Sequence, residues 1–120
     1  MDSLVSIITP FFNSKDCFKK TFKSVLSQTY KDWEWIIVDD CSTDGSIEYL
    51  KSLNNKDDRI KIVFSEKNGG SAVARNIGLE LAEGRYITFL DSDDTIDDNY
   101  LESQVNFIKD NGSLDRKSVV

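Results

Sequence analysis

Residues 85–94 read Arg85-Tyr-Ile-Thr-Phe-Leu-Asp-Ser-Asp-Asp94, an apolar run that passes directly into a cluster of acids. The apolar part is typical of a β-strand, so the acids fall where that strand ends. Carboxylates held so close together are costly unless they are hydrated, protonated or bridged by a cation. A hard divalent cation with oxygen ligands, which holds a substrate phosphate on its free positions, is the usual solution.

A second acidic pair, Asp39-Asp40, follows another apolar run, Trp33-Glu-Trp-Ile-Ile-Val38. In all, four apolar runs predict strands at residues 4–9, 33–38, 60–65 and 85–90. Segments with apolar residues three or four positions apart predict an amphipathic helix after each strand. Pro10 is expected to stop the first strand.

The predicted order βαβαβαβα indicates an α/β protein with a Rossmann-like, three-layer sandwich and a mainly parallel sheet. Ligands of such sheets bind beyond the carboxyl ends of the strands. Both acidic clusters and the Pro10–Asn13 turn fall at carboxyl ends. The sequence therefore predicts one site at this edge of the sheet.

Composition excludes several classes of function. The formal net charge of -6 over 120 residues argues against nucleic acid as a partner, because phosphate backbones bind basic surfaces. The absence of histidine excludes a Ser-His triad and nearly all zinc chemistry. Cys17 and Cys41 fit neither a disulfide framework nor a CxxC site, so we expect reduced thiols in a cytoplasmic protein. No apolar run approaches the ~20 residues of a membrane span, so none is expected in this segment.

Four blocks of the chain carry a family resemblance. They read Val5-Ser-Ile-Ile-Thr-Pro-Phe-Phe-Asn13, Ile37-Val-Asp-Asp-Cys-Ser-Thr-Asp-Gly45, Asn68-Gly-Gly-Ser-Ala-Val-Ala-Arg-Asn76 and Phe89-Leu-Asp-Ser-Asp-Asp94. In this order they resemble the nucleotide-sugar-binding half of family 2 glycosyltransferases. The resemblance implies a GT-A fold of the nucleotide-diphospho-sugar transferase type. It also implies inverting transfer of a hexosyl or hexosaminyl group from a nucleotide diphosphate sugar, expected to be a UDP-sugar, to a saccharide or lipid-linked acceptor.

The resemblance also implies the residues of the site. The acids after residue 90 resemble the DxD motif, which implies that Asp91 and Asp93 bind Mn²⁺ or Mg²⁺. Nucleotide contacts are implied for six further residues, namely Pro10, Phe12, Asp39, Asp40, Arg75 and Ser92. Within that set, Asp39 is favoured for the N–H of the base, Phe12 for stacking on the base and Arg75 for the diphosphate.

The residues themselves leave simpler interpretations open. Acids that precede the fourth helix also favour the positive end of its dipole, and this interpretation is preferred for Asp97 and Asp98. The pair Asp39 and Asp40 could be solvated turn acids, and Phe12 could be ordinary core. Two other classes of protein remain as alternatives: a non-catalytic nucleotide-binding or interaction module, and a receiver-type signalling domain. The receiver is disfavoured because its acidic pair follows the first strand, where this chain has Pro10.

The domain prediction assigns residues 1–112 to the nucleotide-sugar-binding part of a GT-A domain. Residues 113–120 are expected to be a C-terminal tail, either frayed or the start of a missing half. In the family an acid from the second half is the general base, and no segment here matches it, so we expect the catalytic base outside this chain. A fragment of a longer enzyme, with little activity alone, is the favoured interpretation. Further expectations are a homo-dimer through an exposed sheet edge, and a peripheral position at the inner face of the membrane for the full-length protein.

Overall fold

The computed structural model describes residues 4–110 and 118–119. The strands are β1 (Val5–Phe11), β2 (Trp33–Asp39), β3 (Ile60–Phe64), β4 (Tyr86–Phe89) and β5 (Ser118–Val119). The helices are α1 (Phe18–Leu26), α2 (Ser46–Leu53), α3 (Gly70–Leu81) and α4 (Tyr100–Asp110). Strands and helices alternate along the chain, as the periodicity of the apolar residues predicted.

All neighbouring strands are parallel, and their order across the sheet is β3-β2-β1-β4-β5. The α/β fold with a parallel sheet is therefore confirmed. The fifth strand was not predicted, and it pairs only with Tyr86 and Ile87 of β4. It lies within the segment that the sequence assigned to a tail. The boundary predicted at residue 112 falls outside the described residues.

The sheet separates two apolar cores, because successive side chains of a strand point to opposite faces. One core packs α1, α2 and α4 against the sheet, and Trp35 lies at its centre, 5.4 Å from the ring of Phe18. The other core is smaller and lies under α3. There α3 approaches the sheet closely, since a Cβ at Gly78 would lie 2.5 Å from Ile8. Helices on both faces complete the three-layer sandwich.

Strand β1 continues through Pro10 to Phe11, so the prediction that Pro10 ends it was wrong. The carbonyl of Phe11 accepts the N–H of Asp40 on the β2 side, at 2.8 Å. The carbonyl of Ile8 accepts the N–H of Leu90 on the β4 side, at 3.0 Å. Pro10 faces the same side as Ile8, and the pairing with β4 has ended there. The missing N–H of proline therefore leaves no ladder hydrogen bond unmade.

A buried acid that the sequence did not single out lies near the amino edge of the sheet. The carboxylate of Glu34 accepts hydrogen bonds from the Ser6 hydroxyl (2.5 Å), the Lys61 ammonium (2.8 Å) and the N–H of Glu83 (2.7 Å). Burial raises the pKa of Glu34, but these donors outweigh burial and hold its pKa below the ordinary value. The hydrogen bond from the Lys61 ammonium to the Glu34 carboxylate also raises the pKa of Lys61. This cluster ties the end of α3 to the sheet.

No helix among the described residues is both long enough and apolar enough to cross a bilayer.

Candidate functional site

An open cavity of about 320 Å³ lies at the carboxyl edge of the sheet. Its walls come from the ends of β1, β2 and β4 and from the first turns of α3, as expected for a parallel sheet. Seven of the eight predicted site residues line it, namely Pro10, Phe12, Asp40, Arg75, Asp91, Ser92 and Asp93. Asp39 is the predicted residue that does not.

The acids after β4 form a tight cluster. Carboxylate oxygens of Asp91, Asp93 and Asp94 all lie within 4.8 Å of one another, and all three side chains are exposed. A turn in which the N–H of Asp94 donates to the carbonyl of Asp91 (3.1 Å) brings them together. Three carboxylates with free oxygens match the donor set of Mg²⁺ or Mn²⁺. The residues present therefore fit the predicted cation.

Asp94 is a member of this cluster that sequence reasoning did not place in the site. Its position before the fourth helix had suggested a cap for that helix. Because α4 begins at Tyr100, Asp94 lies too far upstream to cap it. The run of acids at 91, 93 and 94 was the signal that could have identified it.

The two acids after β2 have separate roles. The carboxylate of Asp39 is buried and accepts hydrogen bonds from the hydroxyl (2.6 Å) and the N–H (3.2 Å) of Ser42. Asp40 is also buried, but it borders the cavity. Asp39, which the sequence favoured for contact with the base, points into its own turn and does not border the cavity.

Asp40 also holds the start of α3. Its two carboxylate oxygens accept the N–H groups of Gly69 and Gly70, each at 2.9 Å. This satisfies two of the backbone donors that a helix N-terminus leaves without intrahelical partners. Gly70 has a φ of +87°, a conformation that glycine adopts without strain. Asp40 thus fixes the start of α3 beside the cavity.

The aromatic pair at the end of β1 divides between core and cavity. Phe11 is fully buried and packs edge-on against Phe18, with ring centroids 5.1 Å apart. Phe12 borders the cavity and is 46% exposed. The ring of Phe11 therefore packs in the core, although the residue also borders the cavity, whereas the ring of Phe12 is free to contact a ligand.

Ser92 anchors the acid cluster to the loop before α1. Its hydroxyl and that of Ser14 lie 2.7 Å apart, and its carbonyl accepts the hydroxyl of Thr21 at 3.0 Å. Ser92 is buried by these contacts, although it borders the cavity. The bonds hold the turn that carries Asp91 and Asp93 in place.

Arg75 is the cation of the cavity wall. Its guanidinium lies 3.3 Å from the carboxylate of Asp91, and both side chains are partly exposed. An exposed pair of this kind contributes little to stability, about 0–1 kcal/mol. The guanidinium is therefore available to an anionic ligand at small cost.

The comparisons with known proteins agree with this geometry. The model of glycosyl transferase family 2 matches residues 6–115, and the chain belongs to that family. The putative teichuronic acid biosynthesis glycosyltransferase TuaG of Bacillus subtilis is 51% identical over 105 residues, which cover 88% of this chain and 42% of TuaG. The UDP-Glc:alpha-D-GlcNAc-diphosphoundecaprenol beta-1,3-glucosyltransferase WfgD of Escherichia coli is 44% identical over 110 residues. These residues cover 92% of this chain and 43% of WfgD.

Solved structures show the same fold. S. aureus TarS, in crystals of residues 1–349 with UDP or with UDP-GlcNAc, matches 88% of this chain at 34% identity and a TM-score of 0.81. The match covers 32% of the UDP-bound TarS chain and 31% of the other. The mannosyltransferase PcManGT from Pyrobaculum calidifontis, in complex with GDP-Man and Mn²⁺, matches 76% of this chain and 28% of its own, with a TM-score of 0.70 and 24% identity. The expected GT-A fold is confirmed. The chain spans less than half the length of the curated relatives TuaG and WfgD.

Proposed function

We propose that the cavity binds the nucleotide diphosphate of a UDP-sugar together with Mn²⁺ or Mg²⁺. The protein would then transfer the sugar, with inversion, to an acceptor hydroxyl. The observation that carries this proposal is the convergence of a base-sized aromatic, an arginine and an acid cluster on one cavity at the carboxyl edge of the sheet. The family of the chain, and the binding of UDP and UDP-GlcNAc by TarS, support it.

The base of the nucleotide is assigned to the β1 and β2 side of the cavity. Phe12 offers an exposed ring for stacking, and stacking on an aromatic contributes about 1–3 kcal/mol. Pro10 borders the same side. The carboxylate of Asp40 still has lone pairs beyond those used by two backbone N–H groups, and it can accept the ring N–H of uracil.

The diphosphate is assigned to the β4 and α3 side. Asp91, Asp93 and Asp94 hold the cation through carboxylate oxygens, and Arg75 forms charge-assisted hydrogen bonds to phosphate oxygens. A bound divalent cation neutralises charge that develops on a diphosphate leaving group. Ser92 is proposed to contact the nucleotide from the turn that it holds.

The general base is placed outside this chain. During transfer the acceptor oxygen attacks the anomeric carbon, the bond from that carbon to the diphosphate breaks, and the hydroxyl proton goes to a base. The acids of the cavity already have other proposed roles. Asp91 and Asp93 bind the cation, and Asp40 contacts the nucleotide base and the start of α3. The curated relatives are more than twice as long as the part that matches this chain, which leaves room for such a residue.

The acceptor is proposed to be a saccharide or a lipid-linked saccharide. WfgD, by its name, acts on a GlcNAc linked through a diphosphate to undecaprenol. Membership of the transferase family sets aside the receiver-type alternative. Receiver domains belong to another family, and their acidic pair follows the first strand.

Calorimetric titration of this chain with UDP, with Mn²⁺ present or with chelator, tests the proposal. We expect metal-dependent binding that Asp93→Asn weakens by at least about tenfold, because one charged ligand of the cation is lost. Asp98→Asn is the matched control. It removes the same charge from an exposed acid outside the cavity, and its affinity should stay within about twofold of wild type.

UDP binding that chelator leaves unchanged would overturn the cation assignment. Equal losses in the Asp93 and Asp98 variants would show a general charge effect instead of ligation. A full-length relative that carries this segment can be assayed for sugar-nucleotide hydrolysis. If UDP binding depends on the metal but no hydrolysis occurs, the non-catalytic binding module is favoured.

We further propose that an unpaired sheet edge allows two copies to associate. Strand β3 lies at an edge of the sheet and pairs with β2 alone among the described strands. Unpaired edges are templates for another strand. Sedimentation velocity at high concentration should show a dimer, and a single monomeric species at all concentrations would count against it.

A further inference from the structure

A second cavity, of about 690 Å³, opens beside the first. Cys17 and Asp93 border both cavities, so the two are contiguous at the acid cluster. The remaining wall comes from α1 and from the turn after β4. Its residues include three lysines, namely Lys19, Lys20 and Lys23, which we call the lysine cluster.

The lysine cluster has no partners of its own. All three side chains are exposed, and none forms a salt bridge or a side-chain hydrogen bond within residues 4–110. Their spacing of three and four positions places Lys23 next to both Lys19 and Lys20 on the helix surface. Three like charges therefore share one cavity wall in a chain whose formal net charge is -6.

Lys23 lies in the last turn of α1, where the helix dipole favours a cation, but the fold gives no such reason for Lys19 and Lys20. Lys19 and Lys20 lie in the first turn of α1, where the positive end of the helix dipole disfavours cations. No acid occupies that turn, and Asp16, which precedes it and borders the same cavity, forms no salt bridge with these lysines within residues 4–110. Like charges three and four positions apart also disfavour the helix. Residues that break local rules without a gain in the folded state point to function.

The position of the cluster selects its ligand. The sugar to be transferred has to lie beside the cation ligands, and Asp93 borders the lysine cavity as well. An acceptor that meets the donor there extends into the lysine cavity. If it carries a diphosphate, the cations available to that group in this cavity are the three lysines. Lysine binds phosphate as a flexible point charge.

We propose that Lys19, Lys20 and Lys23 bind the diphosphate of a lipid-linked saccharide acceptor. The inference deepens the proposed function and rests on it, since it assigns the acceptor side of the same transfer. The donor diphosphate has other partners, namely the cation and Arg75. The lysine cluster thus gives the acceptor a separate anion site, and a neutral acceptor would not use it.

The test uses an N-acetylglucosaminyl diphosphate that carries a short, water-soluble isoprenyl chain. Calorimetry measures its binding to this chain in the presence of chelator, so that no cation bridges the probe to the aspartates. The variant Lys19→Gln/Lys20→Gln/Lys23→Gln is compared with Lys31→Gln/Lys51→Gln/Lys56→Gln. The control removes the same charge from exposed lysines outside both cavities. Circular dichroism confirms that both variants are folded.

We expect the first variant to bind the probe at least tenfold more weakly and the control variant to stay within twofold of wild type. The affinity for UDP with Mn²⁺ should be equal in all three proteins. Equal probe affinity in the two variants would overturn the inference. Binding of wild type to phosphatidylglycerol vesicles, but not to the probe, would also overturn it and assign the lysines to a membrane surface. If UDP fails to bind while the lysine dependence holds, the donor proposal fails and the anion site stands.

Discussion

The acids after β2 and the acids after β4 come from the same kind of sequence, an apolar strand that ends in aspartates, yet the structure uses them differently. Asp39 and Asp40 are buried, and all four of their carboxylate oxygens accept hydrogen bonds from the chain itself. Asp93 and Asp94 are exposed, and their carboxylates accept no hydrogen bond from residues 4–110. The first pair organises loops, although Asp40 also borders the cavity, whereas the second pair makes no such contacts within the chain.

The contrast has a physical basis in desolvation. A buried carboxylate is stable only when its oxygens are paired, so the acids after β2 require the donors that surround them. Exposed carboxylates keep their water until a cation replaces it. Substitutions should therefore separate the two groups, because those after β2 should lower stability and those after β4 should lower binding alone.

The largest effect on stability is expected from Asp39→Ala. This change leaves the buried hydroxyl and N–H of Ser42 without an acceptor, which costs about 2–3 kcal/mol. Urea denaturation measures the loss as a lower midpoint. A change below about 0.5 kcal/mol would show that the burial of Asp39 does not require its hydrogen bonds.

Glu34 extends the comparison to the other end of β2, where a buried acid is paired with a lysine. Glu34→Gln should cost about 1–2 kcal/mol at neutral pH, because the charge-assisted bond from Lys61 is lost. The folded-state pKa of Glu34 lies below its unfolded value of 4.5, so its contribution is complete above that pH. It disappears as the pH falls through the folded pKa. The difference between wild type and variant should therefore shrink below about pH 4.5, and a constant difference would contradict the ionic role.

A smaller effect is expected from Asp40→Asn. An amide offers one acceptor oxygen, so one of the N–H groups of Gly69 and Gly70 loses its partner and the start of α3 loosens, at about 1 kcal/mol. Hydrogen exchange at these two amides should accelerate while exchange in β2 stays unchanged. Unaltered protection at both glycines would mean that Asp40 does not cap the helix.

The smallest effect on stability is expected from Asp93→Asn in chelator, within about 0.5 kcal/mol of wild type. The side chain is exposed, and loss of its negative charge relieves repulsion from Asp91 and Asp94. Thermal unfolding of the two proteins side by side measures the difference. A large loss of stability in chelator would mean that Asp93, like Asp39, contributes to the stability of the folded chain.

Most of the fold follows from patterns that the sequence displays directly. Apolar strands and amphipathic helices alternate, and parallel strands place their carboxyl ends at one edge, which is why Pro10, Asp40 and Asp91 could be assigned to one site. The division between Asp39 and Asp40 could not be predicted. Adjacent residues at a strand end point in different directions, and the glycines that Asp40 binds lie 29 and 30 positions away.

Two other features depended on packing rather than pattern. The continuation of β1 through Pro10 depends on where β4 ends, which no local signal records. The buried position of Glu34 follows from a parallel sheet covered on both faces, and the alternation of Trp33, Glu34 and Trp35 was its signal. A charged residue on a covered face requires partners, and these come from three separate segments of the chain.

The ion pair between Arg75 and Asp91 has a consequence for the order of ligand loading. A metal ion that arrives alone competes with the guanidinium of Arg75 for the negative charge of Asp91 and supplies no new partner for that guanidinium. A metal ion that arrives with a diphosphate supplies the replacement counter-ion at the same time. The exchange is then electrically balanced, so metal and nucleotide should each tighten the other's binding by an equal factor.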